Sequence, residues 1–449
     1  MNKKLIAVAV ASAFGIPSLA LAQFSVPDGV AGSSTAGSNV TIGGKLNFIG
    51  GYYHNGGSGL DLPTTPTGAQ AVGSKGLRST DSINNSESQL DIKGAEALGG
   101  GLSAWFQCGS SLDLLGNGAA KGTAGLCGRN SGIGMKGNFG NAYIGNWDTS
   151  QKMGIAPFVL FSQSYPIGNG ALFNNSDSAA TTNVDVASTA SAFGTSVGAT
   201  NFWRRQSRLM TYITPVIAGF QASAGLSAGN ESTGLTNGSS VNKPRMYSFG
   251  ANYTNGPVML GVGVESHKGY NPAGTKVLAI AANTAATGNT YAGGTDTIWN
   301  LAGKYSFGNA GFVNAIYSAI SYQINGNLNT TQNNWTINGQ WNLGGPHAIK
   351  LGYINIGTTG GTYGGGTANN AFAPTSLGQM TANGGAGNTG AKMYQFEYVY
   401  AFSKRTEVGV MYKQVKNDSQ ANYTTGTGST LGAYGESVDY MGLRLSHSF

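Results

Sequence analysis

The sequence predicts an all-β chain, a 16-stranded antiparallel transmembrane β-barrel with short periplasmic turns and long extracellular loops. Three observations predict it. Segment after segment alternates apolar and polar residues, one of them with five aromatics on one side. The connections between segments are short and long in turn. The chain starts with an export-type leader and stops on an alternating segment that ends in Phe449.

Residues 1–22 read as a bacterial secretory signal. Lys3 and Lys4 supply the positive start, Leu5 to Leu21 is mostly apolar, and Ala20-Leu21-Ala22 is a small-residue cleavage site before Gln23. A membrane anchor fits less well, because the apolar core is short and contains Pro17. The expected mature chain, residues 23–449, is one domain. It has no run of about 18 apolar residues, and so no transmembrane helix.

Composition agrees with a β-protein. Gly accounts for 73 of 449 residues and Tyr outnumbers Phe, 21 to 18. A hydrophobic share of 40% is low for a large soluble core, and a charged share of 10% argues against a solvated disordered chain. Losing Lys3 and Lys4 takes the net charge from +7 to +5. That excess is scattered, with no basic run of the kind nucleic acid requires.

Side chains alternate between the two faces of a strand. Tyr394, Phe396, Tyr398, Tyr400 and Phe402 share one face, opposite Met393, Gln395, Glu397, Val399 and Ala401. In residues 334–343, Trp335, Ile337, Trp341 and Leu343 oppose Asn334, Thr336, Asn338, Gln340 and Asn342. A soluble sandwich buries neither face of such strands cleanly. A barrel with lipid outside and water inside accommodates both. The terminal segment repeats the pattern, with Met441, Leu443, Leu445 and Phe449 opposite Arg444, Ser446 and Ser448.

Sixteen such segments are predicted, near 39–53, 86–95, 102–109, 129–138, 141–148, 203–214, 219–228 and 245–254, then 257–267, 296–307, 311–324, 333–343, 347–357, 393–403, 406–416 and 436–449. An even number places both chain ends on one side of the membrane. Gly, Asn and Pro turns such as Asn255-Gly256 and Gly344-Gly345-Pro346 suit hairpins. The long connections are rich in Gly, Thr, Asn, Ala and Ser. Only 325–332 breaks the rhythm, being short where a long loop is expected.

The run Ile92-Lys93-Gly94-Ala95-Glu96-Ala97-Leu98-Gly99-Gly100-Gly101-Leu102-Ser103-Ala104-Trp105-Phe106-Gln107 resembles a hairpin of the trimeric Gram-negative porins common in β-proteobacteria, LKGxEDLGGGLKAxFQ-like. Residues Gly128 to Gly140 are similar to their GRxAxxGLxGxFG strand and turn. Ser38-Asn39-Val40-Thr41-Ile42 is similar to their first strand, Pro215 to Phe220 to the turn after their sixth, and Phe449 to their last residue. Gln89 after Ser88 and Asn146 after Gly145 stand where family members often carry arginines that set the constriction charge.

The resemblance implies a water-filled barrel in the outer membrane, embedded in lipid and normally a homotrimer. Its third long loop, here 149–202 with Lys152, Asp177 and Asp185, folds inward and narrows the channel. Phe449 then corresponds to the residue recognised by the outer-membrane barrel-assembly machinery.

Strand parity sorts the charges. Lys45, Lys93, Lys136, Lys304, Lys350, Lys413 and Arg444 are expected in the lumen with Asp91, Glu265, Glu397 and Glu407. Charges on the lipid face cost a few kcal/mol near the midplane. Arg204, Arg205 and Arg208 form the densest basic cluster and are expected to line the pore beside the inward loop. Parity with Met210 and Tyr212 turns Arg205 and Ser207 inward, and leaves Arg204 and Arg208 above the lipid zone or along the loop. Cys108 and Cys127 share lipid-face parity and are expected to form a disulfide across a hairpin, a structural clip.

No catalytic or metal-binding pattern emerges. His54, His267, His347 and His447 lie in no metal-like spacing and beside no Ser/Asp pair. No glycine-rich loop is followed by Lys-Ser/Thr. No cofactor is expected. The expected function is passive diffusion of small hydrophilic solutes and ions, with a mild anion preference. Two alternatives are a substrate-selective channel on the same barrel and a Gly-rich surface adhesin. The adhesin predicts a repeat of fixed length, and none is found.

Overall fold

The computed structural model of the chain describes residues 39–56, 79–85, 87–115, 126–161, 173, 202–228, 245–268, 295–325, 328–358, 360–363, 390–418, 421, 423 and 435–449. The expected signal at 1–22 lies outside the described residues, as do Asp177 and Asp185.

The described strand segments are β1 (Asn39–Gly56), β2 (Ser79–Asn85), β3 (Gln89–Gly99), β4 (Leu102–Ser111), β5 (Ser131–Gly137) and β6 (Gly140–Asp148). They continue as β7 (Arg205–Ile213), β8 (Phe220–Ala228), β9 (Arg245–Asn255), β10 (Val258–Lys268), β11 (Thr295–Ser306) and β12 (Gly311–Asn325). The last are β13 (Leu328–Gly344), β14 (His347–Ile356), β15 (Gly360–Tyr363), β16 (Ala391–Ala401), β17 (Thr406–Asn417) and β18 (Ser437–Ser448). All pair antiparallel, and β18 returns to β1 in register from Lys45↔Ser448 to Gly56↔Ser437. β2 and β3 both pair with β1, and β14 and β15 both with β13, so each pair is one spanning strand in two pieces. The result is a closed sixteen-stranded antiparallel barrel.

Lipid forces this closure, because an unpaired backbone group in hydrocarbon costs several kcal/mol. The seam extends past β18 to the last residue. Phe449 donates its backbone N–H to Gly44 and accepts one in return, both at 3.1 Å. Hairpin turns close the end at which β1 begins and β18 ends. Gly344 and Gly345 hold φ of +96° and +56°, left-handed backbone that glycine adopts freely.

The predicted parity holds along most strands. Ile42, Ile133, Leu301, Leu343 and Leu443 point outward and are exposed. Asn47, Ser248, Asn300, Asn334 and Gln395 are buried on the inner side. Outward charges collect at strand ends away from the turns: Lys268 pairs with Arg245, and Lys392 with Lys416. The interior is less uniformly polar than expected. Ile298, Ile316, Ile320, Ile354, Met393 and Val415 form one buried apolar cluster with Phe158, Phe173 and Phe202.

Two strand limits differ from expectation. The stretch 325–332 is mostly strand, because β12 and β13 keep pairing through Gln323↔Asn329 and Asn325↔Leu328. The second spanning strand begins at Ser79 and is broken near Glu87. Phe48↔Asn85 and Lys45↔Gln89 leave one more residue on β2–β3 than on β1, a bulge that apolar alternation does not reveal.

A Cβ added at Gly44 would meet Gln89 O and would lie 2.7 Å from the Phe449 ring. Gly44→Val is therefore expected to obstruct the seam and sharply lower the yield of folded barrel. The band that migrates anomalously on gels until heated should weaken relative to wild type.

Candidate functional site

The site is built where the chain leaves β6 and enters the barrel. Thr149 caps a short helix, α1 (Ser150–Ile155), its side chain accepting from Lys152 N, and a single 3₁₀ turn (Ala156–Phe158) follows. The inner wall is shaped for this segment. Cβ atoms added at Gly250 or Gly261 would run into Ser150 O and the Phe158 ring, and one at Gly154 would lie 2.6 Å from Val262 O. Polar groups fix the seat. Gln151 N donates to Ser248 Oγ at 2.8 Å, Gln151 Nε2 to Asn300 Oδ1 at 2.6 Å, and Asn252 Nδ2 to Gly154 O at 2.6 Å. Farther on, the buried Phe161 ring lies over Gly352 and 5.1 Å from Lys413 Nζ. The described start of the 149–202 connection therefore runs along the inner wall, from β9 and β10 to β14 and β17.

The other end of the connection is also anchored inside. Phe202 stacks on His267, with ring centroids 4.5 Å apart, and Trp203 stacks on Phe173 at 4.3 Å. Beneath them Glu265 accepts from Ser248 Oγ and lies 2.8 Å from His267 Nε2. Ser248 thus links the helix to the buried carboxylate.

Two charge clusters flank this segment. In the first, Lys152 Nζ lies 2.6 Å from Asp148 and Arg205 Nε 3.8 Å from the same carboxylate. Asn130 donates to Asp148 and accepts from Arg205. Arg129 joins electrostatically through Arg205, Glu87, Asp148 and Asp91. Burial pushes the Lys152 ammonium below its usual range, while Asp148 pulls it back. In the second cluster Glu397 accepts from Arg444 at 2.6 Å and Lys350 at 3.1 Å, and Arg444 also reaches Glu407 at 2.5 Å.

The expected lumen charges separate into two kinds. Lys45, Asp91, Lys93, Lys136, Lys304 and Lys350 are partly accessible, with Lys304 Nζ 4.1 Å from the Phe312 ring. Glu265, Glu397, Lys413 and Arg444 are buried rather than solvated, because the inward segment and mutual ion pairs cover them.

The arginines depart from simple alternation. Arg208 has φ +53°, and Gly145↔Leu209 is followed by Trp147↔Gln206, so one extra β7 residue shifts the parity. Arg204 is buried at the end of the loop, 3.8 Å from Met246 Sδ, so of its two expected seats it takes the one along the loop and not the one above the lipid zone. Arg205 turns to Asp148 and Arg208 is exposed at the bulge, so the three arginines of the cluster separate. The sequence pattern does not single out Glu87, Arg129 or Asp148, although Glu87 shares the lumen parity of Asp91. Asp148 carried a local signal, directly preceding the capping Thr149.

Cys108 and Cys127 are bonded, with Cα atoms 4.5 Å apart. Cys127 is not on the paired strand, as parity had it. It lies before β5 with φ +64°, and Cys108 pairs in register with Ser131. The clip leads directly into Arg129, whose N–H donates to Gly109 O at 2.9 Å.

A closed barrel with an inward segment and charged inner walls is the architecture of an outer-membrane channel. The sequence profile of the Gram-negative porins matches residues 7–420, and the chain belongs to that family. It is an outer-membrane protein that lets small solutes diffuse through its interior. No match among curated proteins reaches significance. The fold is similar to that of an anion-selective porin from Comamonas acidovorans, with TM-score 0.61 and 19% identity over 92% of this chain and 100% of that one. It is also similar to the trimer form of OmpT from Vibrio cholerae, with TM-score 0.53 and 13% identity over 92% and 99%. OmpF of Salmonella typhi in complex with daunomycin matches with TM-score 0.52 and 13% identity over 92% and 98%. At these identities the likeness is one of fold.

Gly250→Val is expected to push α1 off its seat and raise single-channel conductance in planar bilayers. Replacing both cysteines by serine removes a constraint worth about 3 kcal/mol in the chain-entropy view. The denaturation midpoint should fall while the barrel still inserts.

Proposed function

We propose that the channel passes small hydrophilic solutes and ions by passive diffusion with a mild anion preference, working as a homotrimer and as a conduit rather than a catalyst. The observation that carries this reading is the Asp148–Lys152–Arg205 group. It sets two cations on one carboxylate at the start of the inward segment. Lys350 and Arg444 share Glu397 in the same way on β14, β16 and β18.

Pore-lining roles are assigned to Lys45, Asp91, Lys93, Lys136, Lys304 and Lys350, with Arg205 and Lys152 at the narrowing. Arg204, Glu265, Glu397, Lys413 and Arg444 hold the inner wall in shape. Field strength at a constriction sets ion preference without a tight binding site. Phe449, at the seam and half-exposed, is the proposed contact for the barrel-assembly machinery.

Reversal potentials across a KCl gradient test the reading. Wild-type protein should favour chloride, and Arg205→Glu should lower the chloride-to-potassium ratio about threefold or more. Cation preference in the wild type would contradict the assignment. Mild detergent gels with and without cross-linking should show a species of three chains.

A further inference from the structure

The break between β2 and β3 carries an acidic residue, Glu87, four positions before the lumen-side Asp91. Glu87 sits in the bulge with φ +59°, a left-handed conformation uncommon outside glycine and asparagine. The bulge is tied down on both sides. Ser88 Oγ accepts from Asn47 N at 2.8 Å and donates to Asn47 O at 3.3 Å, replacing the interrupted ladder. Ser88 O accepts from Leu112 N at 3.0 Å, and Asn85 Nδ2 donates to Leu112 O. The following chain passes through the disulfide to Arg129. Glu87 is partly buried; Ser88 beside it meets Leu112, three residues beyond Gly109, whose O accepts from Arg129 N, and the Glu87 charge favours the cationic forms of Arg129 and Lys152. The ion pairs among the described residues hold Asp148 in place but do not include Glu87.

We infer that Glu87 is a selectivity-setting residue, a carboxylate presented by the strand break to two channel cations so that its charge holds the anion preference down. Asp148 cements the cluster through direct pairs. Glu87 instead leaves its charge acting on the cations from the bulge, where passing ions meet the same field. The inference rests on the channel reading above.

The experiment compares wild type, Glu87→Gln, Glu87→Asp and the control Glu96→Gln, an exposed acid near the turn end of β3. Reversal potentials are read in KCl gradients centred near 0.1 M and near 1 M. Glu87→Gln should raise the chloride-to-potassium permeability ratio about two- to threefold at the lower salt. The gain should shrink at the higher salt, where the screening length falls to about 3 Å. Glu87→Asp should stay near wild type and Glu96→Gln should move the ratio little.

Glu87→Asn provides a second neutral variant that tolerates the left-handed backbone, should Glu87→Gln not fold. A neutral variant with wild-type conductance and an unchanged ratio overturns the inference while leaving the channel intact. A gain equal to that of Glu96→Gln also overturns it. Wild-type protein that forms no channels removes the channel reading, and this inference with it.

Discussion

Backbone hydrogen bonding in hydrocarbon is the constraint on which the rest of this molecule depends. A sheet in lipid cannot leave an edge, so the strand ending at Ser448 has to find the strand that begins at Asn39. Closure fixes the face that each paired strand residue presents, except where a bulge adds a residue. Near the turn end, Gly43 and Gly44 keep the seam open enough for Phe449, whose backbone supplies the last exchanged pair of hydrogen bonds. The sparse charge follows from the same constraint. Half the strand positions face lipid, where a charge is costly, and outward charges such as Arg245, Lys268, Lys392 and Lys416 lie at strand ends.

A closed wall has an inside that must be either wet or packed, and this chain does both. Glycines on β9 and β10 let a helix backbone approach the wall more closely than side chains would allow. Gln151, Ser248, Asn252 and Asn300 then satisfy the polar groups that such an approach buries. Glu265 is tolerated without exposure because Ser248 and His267 both contact its carboxylate. The position of the inward segment therefore depends on the wall as much as on the loop. Residues almost a hundred or more positions away decide where the helix lies.

How much was legible in sequence follows from the same physics. A period of two is written directly into side-chain character, so strands such as Ala391–Ala401 were visible along with their outward rings. A bulge adds one residue without changing composition, yet it reverses every side chain beyond it until pairing resumes. That is why parity does not predict the burial of Arg204 against Met246. Burial inside the barrel was hidden for a different reason. Lys413 alternates like any lumen residue, and the Phe161 ring that lies over it comes from a distant connection. Cys127 shows a third kind of failure. Parity presumes a strand, and the left-handed backbone at this residue places it in a turn.

The paired carboxylates explain how like charges can be brought together. An isolated cation withdrawn from water is penalised by several kcal/mol, and two neighbouring cations also repel. Asp148 relieves both costs for Lys152 and Arg205 at once, as Glu397 does for Lys350 and Arg444. Each of these carboxylates is thus a clamp: one negative charge holds two positive ones, and the local surplus stays positive. A screening length of about 8 Å at physiological salt lets that surplus act beyond direct contact. The net field then depends on acids that clamp nothing. Among the described residues Glu87 stands outside these ion pairs, held near Arg129 and Lys152 by a hydroxyl-pinned bulge. Acids that clamp and acids that only oppose thus have separable consequences. Removing the first kind releases cations and disturbs the wall, whereas removing the second changes the field and leaves the wall in place.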